Sequence, residues 1–486
     1  MAKRQRRRRQ ERRKEHARRE GWRTRHSVIT GVGVTAGAVV GLSAPALAAT
    51  YTVTNTSDLG NGVCDSSCTL REAVEYANTD PNTTDDIVFA SGLSGTITLT
   101  EQIVITGAVD IHGPGASTLT VSGDNNSRIF GLYMDYNADE VRIEGLTLAN
   151  GSEALGGAIL DVNAELYLTE SVLTGNEAYA GGALYEAGQT GDEGRYTLVT
   201  FSTLSHNTAQ YAGAIGSRYS WGLIGASTLY DNTAYGLGGA ITTYLNAGGS
   251  VFDSTVSGND AYATGGLLAY YAFTANSIFA NNTAAPGNAT DVYSANLYAD
   301  FDLVENPGVT TLIGSSNITG TDPQLGGLAN NGGPTPTLRQ AARSPVVDQG
   351  SSYPNVDVDQ RFSGRPVDIT DVPNAPGGNG ADIGALELTQ SEAAVPSPPA
   401  PVAPTKKKKC KKKKKKNHAA SAKKKKCKKK KKKKRSTVAA RASVPRAINA
   451  WQARAERRPR HGLQPAGHTR TSGRADWADQ AWWTNR

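Results

Sequence analysis

The chain repeats one short sequence five times, as GGAI (156–159), GGAL (181–184), AGAI (212–215), GGAI (238–241) and GGLL (265–268). The repeats start 25, 31, 26 and 27 residues apart. A spacing in the twenties is typical of a structural unit that cannot bury its apolar side alone and must stack on copies of itself. The sequence therefore predicts a solenoid.

An asparagine lies five or six residues before each repeat, and a sixth asparagine follows the last one. The six are Asn150, Asn176, Asn207, Asn232, Asn259 and Asn282. All but the first end a run of the form S-x-[V/L/F]-x-x-N. Stacked parallel strands place like residues above one another at about 4.8 Å, so their amides can bond in series. We predict a structural asparagine ladder at one corner, with the asparagines in the left-handed conformation that they tolerate.

Short strand-like runs separated by turn residues continue from about residue 87 to about residue 313. Such runs alone would also suit a sandwich or a barrel, but the repeat spacing favours about three short strands per turn of a parallel β-helix. We therefore predict an all-β fold, a single-stranded right-handed parallel β-helix, with its repeats at residues 86–321.

Residues 49–85 are predicted to cap the N-terminal end of this helix. The stretch from Thr69 to Asn78 has the apolar spacing of a short amphipathic α-helix, and Thr69 and Glu72 form a capping box. Its charged residues, Arg71 and Glu72, are expected to orient the cap rather than to catalyse. In an oxidising compartment, Cys64 and Cys68 are candidates for a disulfide, with a two-cysteine metal site as the alternative.

The charge of the chain is divided sharply between the body and the two ends. Residues 49–405 contain no lysine, and nine arginines against 38 acidic residues give this body a net charge of about −29. Such a body repels phosphate backbones, so we expect no specific nucleic-acid binding despite the net charge of +9 for the whole chain.

Residues 1–48 have the features of a signal peptide, with a basic start, an apolar stretch and the small-x-small pattern at residues 46–48. A membrane anchor is the alternative interpretation, because the apolar stretch approaches 20 residues. Cleavage is favoured, which predicts a secreted or cell-surface protein whose mature chain has no transmembrane segment.

The C-terminal part changes character several times. Residues 322–390 are turn-rich and are expected to close the C-terminal end of the core, and residues 391–405 form a Pro-rich linker. From Lys406 to Arg435 two lysine runs surround single cysteines, which predicts an unstructured tail that binds polyanionic envelope or extracellular polymers. Its alternative role is a solubilising tail. Residues 436–486 lack periodicity and are predicted to be unstructured, with out-of-frame translation as a hypothesis.

Three resemblances follow from these motifs. The run from Cys64 to Val74, CDSSCTLREAV, resembles the CSLREA domain of secreted bacterial proteins. Blocks at 344–350, 359–366 and 382–387 resemble the choice-of-anchor Q module, which implies an envelope anchor further along the chain. The repeats are similar to those of the chlamydial polymorphic outer-membrane proteins, although only Phe279 keeps the literal FxxN phenylalanine.

Tyrosines between the asparagines and the double glycines are the candidate binding residues. The four are Tyr179, Tyr211, Tyr235 and Tyr262, and the functional interpretation is that they form a strip on which sugar rings stack. Tyr185, Tyr244 and Tyr270 would widen that strip. The competing interpretation is that the rings only pack over the double-glycine corner.

The machinery of polysaccharide cleavage is not evident in the sequence. Hydrolysis requires converging carboxylates, whereas Asp161 and Glu186 lie in a column that we expect to be a solvated face, and arginines such as Arg142 are scattered. A Ca²⁺ site at Asp357 to Asp359 is a secondary expectation. We therefore assign no catalytic residue and no metal ligand, and we favour a non-catalytic adhesion or glycan-contact protein. A polysaccharide lyase or hydrolase and a purely structural envelope protein remain as alternatives.

Overall fold

The computed structural model describes residues 48–394, except for 81–82, 135–139, 189–195, 245–246 and 353–356. The predicted signal peptide up to residue 47 lies outside the described residues. The same holds for most of the linker, the lysine-rich tail and residues 436–486.

The described chain consists mainly of short strands. The elements before the first repeat are β1 (Thr50–Val53), α1 (Leu70–Ala77), β2 (Asp85–Phe89), β3 (Gly95–Thr98), β4 (Ile103–Ile105), β5 (Val109–His112), β6 (Leu119–Ser122), β7 (Phe130–Tyr133), β8 (Glu140–Glu144), β9 (Thr147–Ala149) and β10 (Ser152–Leu155). The next are β11 (Ile159–Val162), β12 (Glu165–Thr169), β13 (Val172–Thr174), β14 (Glu177–Ala180), β15 (Leu184–Ala187), β16 (Tyr196–Thr200), β17 (Thr203–Ser205), β18 (Thr208–Tyr211), β19 (Ile215–Arg218), β20 (Trp221–Gly225), β21 (Thr228–Tyr230) and β22 (Thr233–Ala234). The last are β23 (Ile241–Tyr244), β24 (Gly248–Phe252), β25 (Thr255–Ser257), β26 (Asp260–Ala261), β27 (Leu267–Ala275), β28 (Ile278–Ala280), β29 (Thr283–Ala284), β30 (Val292–Asp300), β31 (Leu303–Val304), β32 (Leu312–Ile313), β33 (Ile318–Thr319), β34 (Leu325–Ala329), β35 (Thr337–Gln340) and α2 (Gln390–Ala393).

These strands form three parallel sheets that wind as a β-solenoid of about eight turns, as predicted. In a turn such as β11–β14, two strands enter the 17-stranded sheet A, the third enters the ten-stranded sheet B and the fourth enters the six-stranded sheet C. Among the described strands, β34 and β35 pair antiparallel outside the solenoid. Each strand alternates inward and outward side chains, and the inward ones make one continuous apolar core.

The repeats that led to this fold stack in register, with one slip. Ile159, Leu184, Ile215 and Ile241 form an apolar column that continues to Leu267. In GGAI at 238–241 the apolar residue is three positions after the first glycine, whereas in GGLL at 265–268 it is two positions after. The fifth repeat is therefore displaced by one residue relative to the other four.

Five asparagines form a buried ladder between sheets B and C. In the first four, Nδ2 donates to the Oδ1 of the next asparagine at 2.9 Å, and the backbone N–H donates to the same oxygen. The five are Asn176, Asn207, Asn232, Asn259 and Asn282. Each is at most 4 % exposed.

The assignment of Asn150 to this ladder is wrong. Gly151, one residue later, occupies that position, and its N–H donates to Asn176 Oδ1 at 2.7 Å. Asn150 is exposed and has a φ of 53°. The residue before each ladder asparagine, such as Gly175 (φ 66°) or His206 (φ 57°), takes the left-handed conformation. The turn therefore places its backbone strain one residue earlier than predicted, and the asparagine itself serves as a buried connector.

A second, serine ladder runs along the corner between sheets A and B. The backbone N–H of Ser171, Ser202, Ser227 and Ser254 donates to the Oγ of the next serine at 3.1–3.2 Å. The last serine, Ser277, donates instead to the Asp302 carboxylate at 2.8 Å. The S-x-[V/L/F]-x-x-N run therefore has polar connectors at both ends of each sheet B strand.

The N-terminal helix α1 lies against β1, β2 and β4. Thr69 and Glu72 form the capping box, and Cys64 is bonded to Cys68 in a disulfide. The Arg71 guanidinium pairs with Asp58 at 2.7 Å and donates to the carbonyl oxygens of Glu101 and Gln102. Arg71 and Glu72 are therefore both used to fix the cap.

The described residues between 322 and 394 lie along the flank of sheet B, whereas we predicted from the sequence that this segment closes the C-terminal end of the core. Thr203 donates to the Pro336 carbonyl, Thr228 donates to Gln360 at 2.6 Å, and the Ala385 N–H donates to Thr255. These three threonines are consecutive in one outward column of sheet B. The segment therefore runs over successive turns and is held by hydrogen bonds to hydroxyl groups on the outer face of sheet B.

A buried arginine joins this flanking segment to the solenoid. Arg365 pairs with Asp253 of the solenoid at 3.0 Å and with Glu387 at 2.9 Å, and all three side chains are at most 1 % exposed. Its guanidinium also donates to the Gly384 carbonyl at 2.6 Å.

Within the described residues, both helices are too short to cross a lipid bilayer.

Candidate functional site

Three of the four predicted tyrosines stand in one outward column of sheet C. Tyr179, Tyr235 and Tyr262 each follow a paired alanine of sheet C, and Gln210 occupies the remaining place in the column. Tyr235 is 61 % and Tyr262 is 67 % exposed. They lie one residue beyond β22 and β26, on neighbouring turns, and we call these two exposed rings the open pair.

Tyr211 belongs to the next column and contacts Tyr179 from the side. It pairs with Ala180, and its ring centroid lies 5.3 Å from that of Tyr179 with an interplanar angle of 89°. Burial and the hydrogen bond to Tyr211 raise the pKa of Tyr179 to about 12. One end of the column is therefore a packed pair, and the other end is exposed.

The tyrosines expected to widen the strip have different surroundings. Tyr185 is 7 % exposed and packs with Leu160, Ala180 and Tyr244 in a satellite apolar cluster. Burial raises the pKa of the Tyr244 hydroxyl. Tyr270 is exposed, but its ring makes an edge contact with Tyr271 on sheet A. For Tyr185 and Tyr244, the packing interpretation is the one that the structure shows.

A second exposed aromatic pair lies on sheet A, outside the repeated motifs. Phe273 and Tyr298 are aligned on β27 and β30, with ring centroids 5.0 Å apart and planes 11° apart. They are 41 % and 42 % exposed.

Asp161 and Glu186 point into the core, which corrects the expectation of a solvated face. They are 4 % and 2 % exposed and are aligned on β11 and β15. Asp161 accepts hydrogen bonds from the Ala164 N–H and from Thr197 Oγ1. Counting from the double glycines located the column, but it could not show which side of the strand faces inward.

Glu186 borders a small cavity of about 20 Å³ in the core, which is room for one water molecule. Glycines at 222 and 249 on the facing strands leave this space. Burial and the Asp161 carboxylate raise the pKa of Glu186 to about 8. Nearby hydroxyls oppose this rise, although none of them reaches Oε2 with hydrogen-bond geometry.

The structure brings one further set of ionisable residues together on the outer face of sheet A. Asp86, Asp110 and Arg142 are aligned on β2, β5 and β8, and His112 and Glu144 are aligned two residues further along. His112 Nδ1 lies 2.7 Å from Glu144 Oε1, and Nε2 lies 3.2 Å from Asp86 Oδ1. We call Asp86, Asp110, His112, Arg142 and Glu144 the β2–β5–β8 cluster.

The charges in this cluster are only partly compensated. Arg142 is drawn towards Glu140 at 2.8 Å and lies 3.6 Å from Asp110 Oδ1, an oxygen that is buried and accepts no hydrogen bond. Burial raises the pKa of Asp110, and the hydrogen bond to Glu144 raises the pKa of His112. Arg142 also lies over the ring of Tyr167 at 4.3 Å. It is therefore part of a defined site, contrary to the expectation that the arginines are scattered.

At the predicted Ca²⁺ site, Asp357 to Asp359, the second carboxylate is already used in hydrogen bonds and an ion pair within the protein. Asp359 is fully buried and accepts hydrogen bonds from the backbone of Arg361, Ser363 and Glu387. It also pairs with the Arg361 guanidinium at 2.9 Å. A calcium ion there would have to displace these bonds, so the Ca²⁺ expectation remains a prediction without geometric support.

Sequence reasoning missed the β2–β5–β8 cluster because its members lie 24 to 32 residues apart in turns without the repeat. The signal that could have found it is the alternation D-x-H at 110–112 and R-x-E at 142–144, which places each pair on one face of a strand. Comparison of the chain with protein-family models and with curated proteins gave no match.

Proposed function

We propose that this chain is a secreted or surface-held β-solenoid that binds glycans without cleaving them. The observation that carries the proposal is the open pair of Tyr235 and Tyr262, which are 61 % and 67 % exposed on neighbouring turns of sheet C. Large exposed aromatic side chains arranged in a row are costly in water and are typical of binding surfaces.

The regular spacing favours an extended, repetitive ligand. Rings on successive turns repeat at about 4.8 Å along the solenoid axis, so a chain of sugar rings can contact them in series. The tyrosine hydroxyl adds a donor and acceptor at the edge of each ring, which suits the alternation of apolar faces and hydroxyl groups on a sugar.

The two ends of the chain complete the proposal. The signal-like residues 1–48 favour export, and the lysine runs within 406–435 favour retention by polyanionic wall polymers or lipid headgroups. The resemblances to the CSLREA and choice-of-anchor Q modules support the same location. The disulfide between Cys64 and Cys68 also supports an oxidising compartment.

The β2–β5–β8 cluster favours a second candidate function, which is cleavage of a polysaccharide. Asp86 and Asp110 bring two carboxylates together beside His112 and Arg142, and paired carboxylates are the groups that glycoside hydrolysis uses.

One pair of assays separates these functions. The full chain is screened for binding on a glycan array, and the same glycans are incubated with it and examined for new reducing ends and for unsaturated products. Binding without products supports the first proposal, whereas products that disappear in Asp110→Asn establish the second. Absence of both binding and products would favour a purely structural envelope protein and would overturn both.

A further inference from the structure

We propose that Asp86, Asp110 and His112 bind a divalent transition metal ion of the zinc class on the outer face of sheet A. One candidate ligand atom from each residue lies within 4.8 Å of the others. Zinc–ligand bonds of 2.0–2.2 Å place tetrahedral ligands about 3.3 Å apart. The exposed side chains of Asp86 and His112, at 46 % and 38 %, can close that difference by small rotations.

Glu144 gives His112 the arrangement of a metal ligand. Its Oε1 lies 2.7 Å from His112 Nδ1. In the neutral tautomer that carries its proton on Nδ1, Nδ1–H donates a hydrogen bond to Glu144, and the Nε2 lone pair is directed at Asp86. Metal-binding histidines nearly always donate their other ring N–H to a carboxylate or carbonyl, which fixes the tautomer and the ring orientation. The structure therefore contains both the ligand and its support.

Asp110 supplies the second reason. Its Oδ1 is buried and accepts no hydrogen bond, and burying an unsatisfied carboxylate oxygen costs free energy unless a cation compensates it. Arg142 Nε, at 3.6 Å, does so only partly, because the guanidinium is held by Glu140 at 2.8 Å. Arg142 is thus shared between Glu140 and Asp110, and a divalent cation beside Asp110 would compensate the carboxylate more fully.

The ligand types select the class of metal. Ca²⁺ and Mg²⁺ prefer sites made wholly of oxygen atoms, whereas an imidazole ligand favours zinc and its neighbours. Three protein ligands on an exposed face leave a fourth position to solvent. This inference does not depend on glycan binding by the tyrosines, which lie on a different sheet.

His206 provides a matched control. Its Nε2 lies 3.3 Å from Asp231 Oδ2, and the two side chains are 52 % and 55 % exposed, so it is a similar surface histidine with a single carboxylate. The test titrates Co²⁺ into the full chain and records the visible ligand-field bands of nitrogen- and oxygen-bound metal. Co²⁺ bound by the cysteines within the lysine runs is recognised by an additional thiolate charge-transfer band in the near ultraviolet.

We expect one Co²⁺ equivalent with visible bands, displaced by Zn²⁺, in the unchanged chain and in His206→Ala. The same equivalent should bind at least tenfold more weakly in His112→Ala and in the isosteric Asp110→Asn, and about 10- to 100-fold more weakly in Glu144→Gln. Thermal unfolding without metal identifies any variant that fails to fold. Bands that are absent from the unchanged chain, or equal in His112→Ala, would show that the cluster is an ion-pair network only and would overturn the proposal.

Discussion

Asn282 Nδ2 donates a hydrogen bond to Asp291 Oδ1 at 2.7 Å, so a carboxylate ends the buried ladder that five asparagines form. The Asn282 N–H donates to the same oxygen, and the Asn306 N–H donates to Oδ2. Each asparagine in the series needs an acceptor on the following turn, and Asp291 supplies it where the repeat stops. Burial raises the pKa of Asp291 to about 6, against the opposing effect of these donors.

The ladder is expected to contribute strongly to stability. Replacing Asn232 by Ala removes the acceptor of two Asn207 donors, at 3.1 and 2.9 Å, and breaks the bonds from Nδ2 to Leu204 O and Asn259 Oδ1. Leaving buried polar groups unsatisfied costs about 1–3 kcal/mol each. We predict a loss of roughly 3–5 kcal/mol in the free energy of unfolding, measured by denaturant titration.

Asn150→Ala is the matched control, because Asn150 precedes the first turn of the ladder and is exposed at a φ of 53°. It should lose only about 1 kcal/mol, the cost of alanine in the left-handed conformation. Equal losses in the two variants would mean that the amide ladder adds nothing to the corner.

Buried carboxylates should make the solenoid more stable in mild acid than at pH 8. Burial raises the pKa of Glu186 and of Asp302 to about 8, and that of Asp348 to about 7. The folded state therefore holds protons that the unfolded chain releases above its ordinary carboxyl pKa of about 4. Stability is full below that value and is lost as the pH rises towards 8.

Glu186→Gln tests the largest single contribution without changing the size of the side chain. Because glutamine cannot ionise, we expect this variant to exceed the unchanged chain by about 2–4 kcal/mol at pH 8 and to match it near pH 4. The measurement is the free energy of unfolding at several pH values. Glu177→Gln, on the exposed face of sheet C, is the control and should leave the dependence of the unfolding free energy on pH unchanged. If Glu186→Gln showed the same pH dependence as the unchanged chain, ionisation of Glu186 would not be the cause of the loss of stability.

The flanking segment should depend on Arg365. Arg365→Met leaves the buried carboxylates of Asp253 and Glu387 without their cation, and breaking a buried pair in this way costs about 3–5 kcal/mol. We expect amide hydrogen exchange to become faster in residues 322–394. The exchange rates of the ladder asparagines should increase much less. Arg343→Met removes an exposed pair with Asp371 and should leave both the stability and the exchange rates almost unchanged. Uniform exchange in Arg365→Met would show that the segment and the solenoid unfold together.

The repeat predicted the solenoid because stacking forces like residues into columns, as the apolar column from Ile159 to Leu267 shows. Register to within one residue was not predictable from spacing alone. Asn150 fits the spacing but lies one residue before the ladder, and GGLL at 265–268 is displaced by one residue. A shift of one residue reverses the side of a strand that a residue occupies.

The candidate sites were predicted less completely, for the same reason. Tyr179, Tyr235 and Tyr262 follow a repeated asparagine at a constant distance, so their common column was visible in the sequence. The β2–β5–β8 cluster joins residues such as Asp86 and Glu144 from turns that carry no repeat. Only the strand pairing brings them together. The flanking position of residues 322–394 likewise follows from tertiary contacts with sheet B.

The glycan proposal depends on separating ring contacts from charge, because the lysine runs will bind acidic polymers through charge alone. Binding of the full chain to neutral glycans should therefore be measured at about 0.5 M salt, where electrostatic attraction between exposed charges is largely screened. Gln210 offers a gain-of-function variant, since Gln210→Tyr would fill the gap between Tyr179 and Tyr235 in the column.

The most direct measurement is the affinity of the unchanged chain, Tyr235→Ala, Tyr262→Ala and Gln210→Tyr for the glycan found on the array, with thermal unfolding of each. Loss of a stacked ring should weaken binding by about 1–2 kcal/mol, or roughly tenfold, at an unchanged melting temperature, and Gln210→Tyr should bind at least as tightly as the unchanged chain. Unchanged affinity in both alanine variants, or a loss of affinity that merely follows a loss of stability, would contradict the account.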